Sequence, residues 1–124
     1  MKDARPVFLD LTKMKFPVPA IASIFHRISG ILMFLFLPLL FYLLSLSLKS
    51  PADFIIFLKF IKLTWVKLSL WVGLSAVIYH VLAGLRHIIM DFGFAETLKA
   101  GRVTAYAVIV LGFIGMVISG VWIW

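Results

Sequence analysis

The 124-residue chain contains no cysteine. That excludes thiolate ligation of an iron–sulfur cluster, a structural disulfide and covalent attachment of a c-type haem through C-x-x-C-H. Acidic residues are scarce: five Asp and Glu stand against twelve Lys and Arg, for a net charge of +7. A basic excess can serve nucleic-acid binding. In a chain this apolar it reads as a topological signal, with Lys and Arg held on one side of a membrane, and no nucleic-acid partner is expected. Charged residues make up only 14% of the chain and hydrophobic ones 64%, with a mean hydropathy of +1.15. Soluble domains run at roughly 45–50% apolar residues. The sequence is that of an integral membrane protein, with room for one bundle of a few spans and no further soluble domain. A cleavable signal is not expected, because Lys2, Asp3, Arg5, Asp10, Lys13 and Lys15 mix with Pro6, Pro17 and Pro19 where an apolar core would stand. An Arg- and Ser-rich transit peptide and an internal repeat are also missing.

What is present is three long apolar runs. They place spans at about 23–48, 63–89 and 103–124, after an N-terminal segment at 1–22. Each has about the 20 residues that a helix needs to cross a ~30 Å hydrocarbon core. Barrel strands would be shorter and would alternate, so the class is all-α. Pro38 is expected to kink the first span. Pro17 and Pro19 disfavour a continuous helix entering it from the N-terminal side. Ser50 should cap a short helix that has Pro51 in its first turn. The apolar stretch Phe54 to Lys62 then forms either an interfacial helix or a helical lead into the second span.

Orientation follows from the basic residues. One side holds Lys2, Arg5, Lys13, Lys15, Arg27, Arg86, Lys99 and Arg102; the other holds Lys49, Lys59, Lys62 and Lys67. The imbalance puts the N-terminus in the cytoplasm, and Trp122 and Trp124 suit an aromatic belt at the outer interface. Arg86 marks the inner end of the second span. The segment Arg5 to Phe16, with charges among Val7, Phe8, Leu9, Leu11 and Met14, is expected to lie along the surface against a soluble partner or the lipid.

Two clusters carry chemistry. His80 lies inside the second span, where an ionisable side chain is costly and points to function. Gly84 and His87 share its helical stripe, and Ala76 is one turn away on the other side. Gly84 should open a flat recess beside the imidazole, into which a plate such as a porphyrin fits. His87 stands about 10 Å along the axis, too far to share one iron with His80 but near the rim of a plate bound there. A histidine hydrogen-bonded between closely packed helices explains the segment equally well. The second cluster is Ser23, His26 and Arg27 at the start of the first span. A hydroxyl and a guanidinium aimed together suit a carbonyl or carboxylate oxygen. Alone, the cluster reads more simply as a membrane boundary contacting lipid phosphate. Depth joins the two: His80 is ~9 Å before the inner end of its span, in the same half of the bilayer as Ser23 and Arg27.

The runs Arg5-Pro6-Val7-Phe8-Leu9-Asp10-Leu11 and Phe16-Pro17, then Ser23-Ile24-Phe25-His26-Arg27-Ile28-Ser29-Gly30, then Tyr79-His80 with Gly84-Leu85-Arg86-His87 and Asp91-Phe92-Gly93, carry a family likeness. In them the chain resembles the cytochrome b556 subunits of succinate dehydrogenase, membrane anchors of respiratory complex II, over essentially its whole length. The combination of S-x-x-H-R-x-S-G with H-x-x-x-G-x-R-H is what makes the likeness specific. The resemblance implies a three-helix transmembrane anchor within a heteromeric helix bundle. It implies a haem b shared with a second anchor subunit, with His80 as axial ligand of the iron, and His26, Arg27 and His87 near the propionates. Ser23 and Arg27 match positions lining a ubiquinone pocket. The implied partners are the second anchor, an iron–sulfur subunit, a flavoprotein subunit and the lipid of a bacterial inner membrane, with the N-terminus cytoplasmic. The chain would be non-catalytic alone, having no flavin fingerprint and no cluster cysteine. Alternatives are the anchor of a menaquinol:fumarate reductase, a small proton-coupled transporter using His80, or an assembly subunit without cofactor.

Overall fold

The computed structural model describes residues 15–124. Among these it is all-helical: α1 Val18–Lys49, α2 Pro51–Phe60, α3 Thr64–Asp91 and α4 Leu98–Ile123. Three of them, α1, α3 and α4, are long and apolar enough to cross a membrane, as the hydropathy runs predict. They pack pairwise against one another, and α2 packs against α1. Of the expected surface segment Arg5 to Phe16, the part up to Met14 lies outside the described residues.

Helix α1 has 32 residues, about 48 Å of rise, and so exceeds the hydrocarbon core. Its start agrees with the expectation at Pro17 and departs from it at Pro19. Pro17 is the extended N-cap and Pro19 sits in the first turn, where a missing N–H costs nothing because no intrahelical acceptor exists for it. The helix therefore begins ahead of Ser23. It continues through Pro38, whose ring removes the N–H that would have bonded the Phe34 carbonyl.

Ser50 caps α2 as predicted. Its Oγ accepts from the Asp53 N–H at 3.1 Å and donates to Asp53 Oδ2 at 2.6 Å. Ile61, Lys62 and Leu63 then form a turn closed by Lys62 N–H to the Lys59 carbonyl and Leu63 N–H to the Phe60 carbonyl. That turn makes α2 a separate helix, not a lead into the next span. Phe60 meets Tyr42 of α1 edge to face, ring centroids 6.0 Å apart.

Helix α3 ends in a Schellman motif. The Phe94 N–H bonds the Ile89 carbonyl and the Gly93 N–H bonds the Met90 carbonyl, and Gly93 adopts φ +82°, which glycine tolerates without a Cβ clash. Asp91-Phe92-Gly93 is thus a helix stop. Thr97 caps α4 by accepting from the Ala100 N–H at 3.2 Å.

The bundle is held by small residues inside and large ones outside. Ala22, Ala76, Ala83 and Ala105 are buried, while Phe34, Phe41 and Phe113 face outward, as lipid solvates apolar side chains at no cost. The glycines of α4 are close-approach sites. A Cβ at Gly112 would stand 2.6 Å from the Tyr79 ring, one at Gly115 2.6 Å from Ile78, and one at Gly120 3.1 Å from Trp71. Trp71 completes the seam by donating from Nε1 to the Met116 carbonyl at 2.9 Å. Gly73 plays the same part between α3 and α1, receiving Phe36.

Arg86 departs from expectation. It does not mark a boundary as a free charge but is buried at 8% exposure. Its Nε donates to Thr104 Oγ1 at 3.1 Å and its Nη2 to the Gly101 carbonyl at 3.2 Å. The cause is that α3 runs on past it to Asp91, so the start of α4 folds back over its guanidinium.

Candidate functional site

The site lies where the first turns of α1 cross the middle and lower part of α3. On α1, His26, Ser29 and Gly30 occupy one turn. On α3, His80, Gly84 and His87 form the stripe that helical spacing predicts. The crossing brings all three histidines together. The His26 ring lies 4.2 Å from that of His80 and 5.1 Å from that of His87, centroid to centroid. His26 thus fills the gap along α3 between the other two, which spacing on α3 alone could not reveal.

The Nδ1 of His80 is fully engaged. It lies 3.0 Å from Ser29 Oγ and 3.2 Å from the His26 carbonyl. Among the described residues, nothing hydrogen-bonds its Nε2. The glycine against this ring is Gly30, not Gly84: a Cβ at Gly30 would meet His80 Cε1 at 3.2 Å. Gly84 faces His26 instead, a Cβ there standing 3.9 Å from His26 Nε2. The glycine that lets a helix approach the His80 ring is therefore on α1, and it makes a close contact there instead of the recess inferred at Gly84. Helical spacing identifies neighbours within one helix and says nothing of which glycine the partner helix presents.

His26 Nε2 is buried and has no hydrogen-bond partner among the described residues. A buried polar atom left unpaired costs about 1–3 kcal/mol, so this atom calls for a group that completes it. Among the described residues no three of His, Cys, Asp and Glu converge as a cage for a bare metal ion; the histidines meet ring to ring.

Neighbouring contacts fix the frame. Tyr79 donates its hydroxyl to the Ala22 carbonyl at 3.1 Å, and its ring meets Phe25 edge-on at 6.1 Å. These hold α3 against the start of α1 immediately beside His80. Ser23 is half-buried and Arg27 exposed, one turn apart on α1. Ser29, Gly30, Tyr79 and Arg86 are the residues whose roles sequence reasoning missed, although all four sit inside the family-like motifs.

A profile of the family described as succinate dehydrogenase/fumarate reductase transmembrane subunit matches residues 1–119. The succinate dehydrogenase cytochrome b556 subunit of Coxiella burnetii is 49% identical over the full length of both chains. The corresponding subunit of Paracoccus denitrificans is 32% identical, covering 85% of this chain and 81% of its own. The cytochrome b560 subunit of Reclinomonas americana is 31% identical, covering 93% of this chain and 83% of its own. With matches that span the helices and the histidine cluster alike, the chain belongs to the transmembrane subunit family of succinate dehydrogenase and fumarate reductase.

Proposed function

We propose that this chain is the membrane-anchor, haem b-binding subunit of a succinate:ubiquinone oxidoreductase, passing electrons from an iron–sulfur subunit to quinone. The observation that carries the haem assignment is the state of His80, with Nδ1 tied to α1 and Nε2 left to a ligand. Ligating histidines characteristically donate their second ring nitrogen to a carbonyl or similar acceptor, which orients the ring. The orphaned His26 Nε2 supports the same reading, since a propionate oxygen is a group that would complete it. His80 would hold the iron through Nε2. His26, His87 and Arg27 would hold the propionates, and the haem would be shared with the second anchor subunit. A haem held this way supplies one-electron storage beside the quinone.

The rest of the chemistry belongs to this chain's side chains. Ser23 would donate a hydrogen bond to a quinone carbonyl and stabilise the charge that develops on it as electrons arrive. Arg27 would grip a quinone or propionate oxygen by a charge-assisted hydrogen bond. Succinate oxidation would lie on the flavoprotein and iron–sulfur subunits, docked on the cytoplasmic side of the inner membrane. The relatives named above are all succinate dehydrogenase subunits, which favours this reading over a menaquinol:fumarate reductase anchor and over a transporter. Affinity purification in mild detergent tests it. Co-purification of three further subunits with sharp α and Soret bands, lost in His80→Leu, is the expected result. A colourless complex, or an unchanged spectrum in His80→Leu, would overturn the haem assignment.

A further inference from the structure

Ser29 belongs to the S-x-x-H-R-x-S-G pattern, yet none of the roles proposed above uses it. It is buried, and its Oγ lies 2.7 Å from the His26 carbonyl and 3.0 Å from His80 Nδ1. A hydroxyl has one hydrogen to give, and a carbonyl can only accept. The Ser29 hydrogen therefore goes to the His26 carbonyl. His80 Nδ1 then faces two oxygens, Ser29 Oγ at 3.0 Å and that same carbonyl at 3.2 Å, neither with a hydrogen directed at it. A bare lone pair on Nδ1 would be repelled by both. Nδ1 must carry the ring hydrogen, and in a neutral imidazole Nε2 then keeps its lone pair.

We propose that Ser29 is the positioning residue of His80: with the His26 carbonyl it locks the Nδ1–H tautomer and makes Nε2 a more basic ligand. The inference rests on His80 being the axial ligand. Other helical serines show what is distinctive. Ser47, Ser69 and Ser119 also donate to a carbonyl one turn back, at 2.7, 2.9 and 2.8 Å. Among these serines Ser29 alone adds an acceptor contact to a side chain of another helix, an arrangement that Thr104 shares where it accepts from Arg86. Accepting from Nδ1–H pushes electron density into the ring, which favours the more highly charged metal. Removing the acceptor should therefore raise the reduction potential. Haem should remain, because the carbonyl still accepts from Nδ1.

The test uses the assembled four-subunit complex and reads haem content, optical spectrum and midpoint potential. Ser29→Ala should keep its haem and show a raised potential. Ser29→Thr, which retains the hydroxyl and can make the same bond to the carbonyl, should restore it. If the alanine variant does not assemble, Ser29→Cys carries the measurement, being similar in size and a weaker acceptor; the shift should have the same sign. His80→Leu separates the two levels of the argument. If it loses the low-spin spectrum while Ser29→Ala or Ser29→Cys keeps the wild-type potential, the Ser29 role alone falls. A raised potential that threonine fails to restore would assign the effect to packing and overturn the proposal. An unchanged spectrum in His80→Leu would remove the ligand assignment, and this inference with it.

Discussion

Gly30 on α1 lies against the ring of His80 on α3, so that a Cβ added there would stand 3.2 Å from His80 Cε1 and 3.6 Å from Nδ1. That spacing is tighter than ordinary van der Waals contact, and the ring must shift to admit a methyl group. The shift would loosen the contacts to Ser29 and the His26 carbonyl. Gly30→Ala is expected to lower the haem-to-protein ratio of the purified complex, and Gly30→Leu to abolish haem binding. An alanine variant with a wild-type ratio would show that the ring has room to spare.

The glycines of α4 test packing without touching the histidines. Gly115→Leu would drive a side chain into Ile78, and Gly112→Ala would press on the Tyr79 ring. Overpacking of this kind costs about 1–3 kcal/mol. Gly115→Leu should reduce assembly yield before it alters any redox property, and Gly112→Ala should lower the unfolding temperature of the complex. A fully assembled Gly115→Leu complex with a shifted haem potential would bring α4 nearer to the cofactor than this packing allows.

Arg86 joins α3 to α4 through two hydrogen bonds from one guanidinium, to Thr104 Oγ1 and the Gly101 carbonyl. Hydrogen bonds to charged groups contribute about 1.5–3 kcal/mol. Arg86→Gln should lower thermal stability by that order while leaving the optical spectrum in place. Arg86→Lys should rescue poorly, since a single ammonium lacks the planar fork that reaches both acceptors. Full rescue by lysine would mean that charge alone, and not the paired geometry, holds the helices.

The architecture was readable because hydropathy and length decide it: three runs of about 20 apolar residues leave little choice but helices. The α2 cap was readable for a similar reason, since Ser50, Pro51 and Asp53 act within four residues of one another. What escaped depends on contacts between helices. Gly30, Ser29 and Arg86 acquire their roles from His80, Gly101 and Thr104, which lie on other helices. The start of α1 escaped because Pro19 is equally compatible with a break and with a first turn. His80 stood out by itself because a histidine in a charge-free run is uncommon on any packing.

The quinone assignment is separable from assembly by using two electron acceptors. Ser23→Ala and Arg27→Leu should depress succinate:ubiquinone turnover roughly ten- to a hundredfold, the effect of losing one charge-assisted hydrogen bond. Succinate oxidation measured with an artificial dye, which bypasses the membrane subunits, should persist. Equal loss of both activities would place these residues in assembly and not at the quinone.

Orientation can be tested through what the chain lacks. Burial of Arg86 between α3 and α4 removes it from the loop charges, leaving seven basic residues on the N-terminal side against four on the other. The remaining imbalance still supports the proposed orientation, with the N-terminus and the α3–α4 turn in the cytoplasm. With no native cysteine in the chain, a single introduced thiol reports its own side without background labelling of this subunit. Lys62→Cys, in the turn after α2, should react with a membrane-impermeant maleimide in intact spheroplasts. Lys99→Cys, in the first turn of α4, should react only after permeabilisation or in inverted vesicles. Neither residue touches the histidine cluster, so both variants should keep the haem spectrum, and labelling can be read on assembled complex. The reverse pattern would turn the molecule over, moving the crossing of His26 with His80 to the outer half of the bilayer and away from any cytoplasmic electron donor.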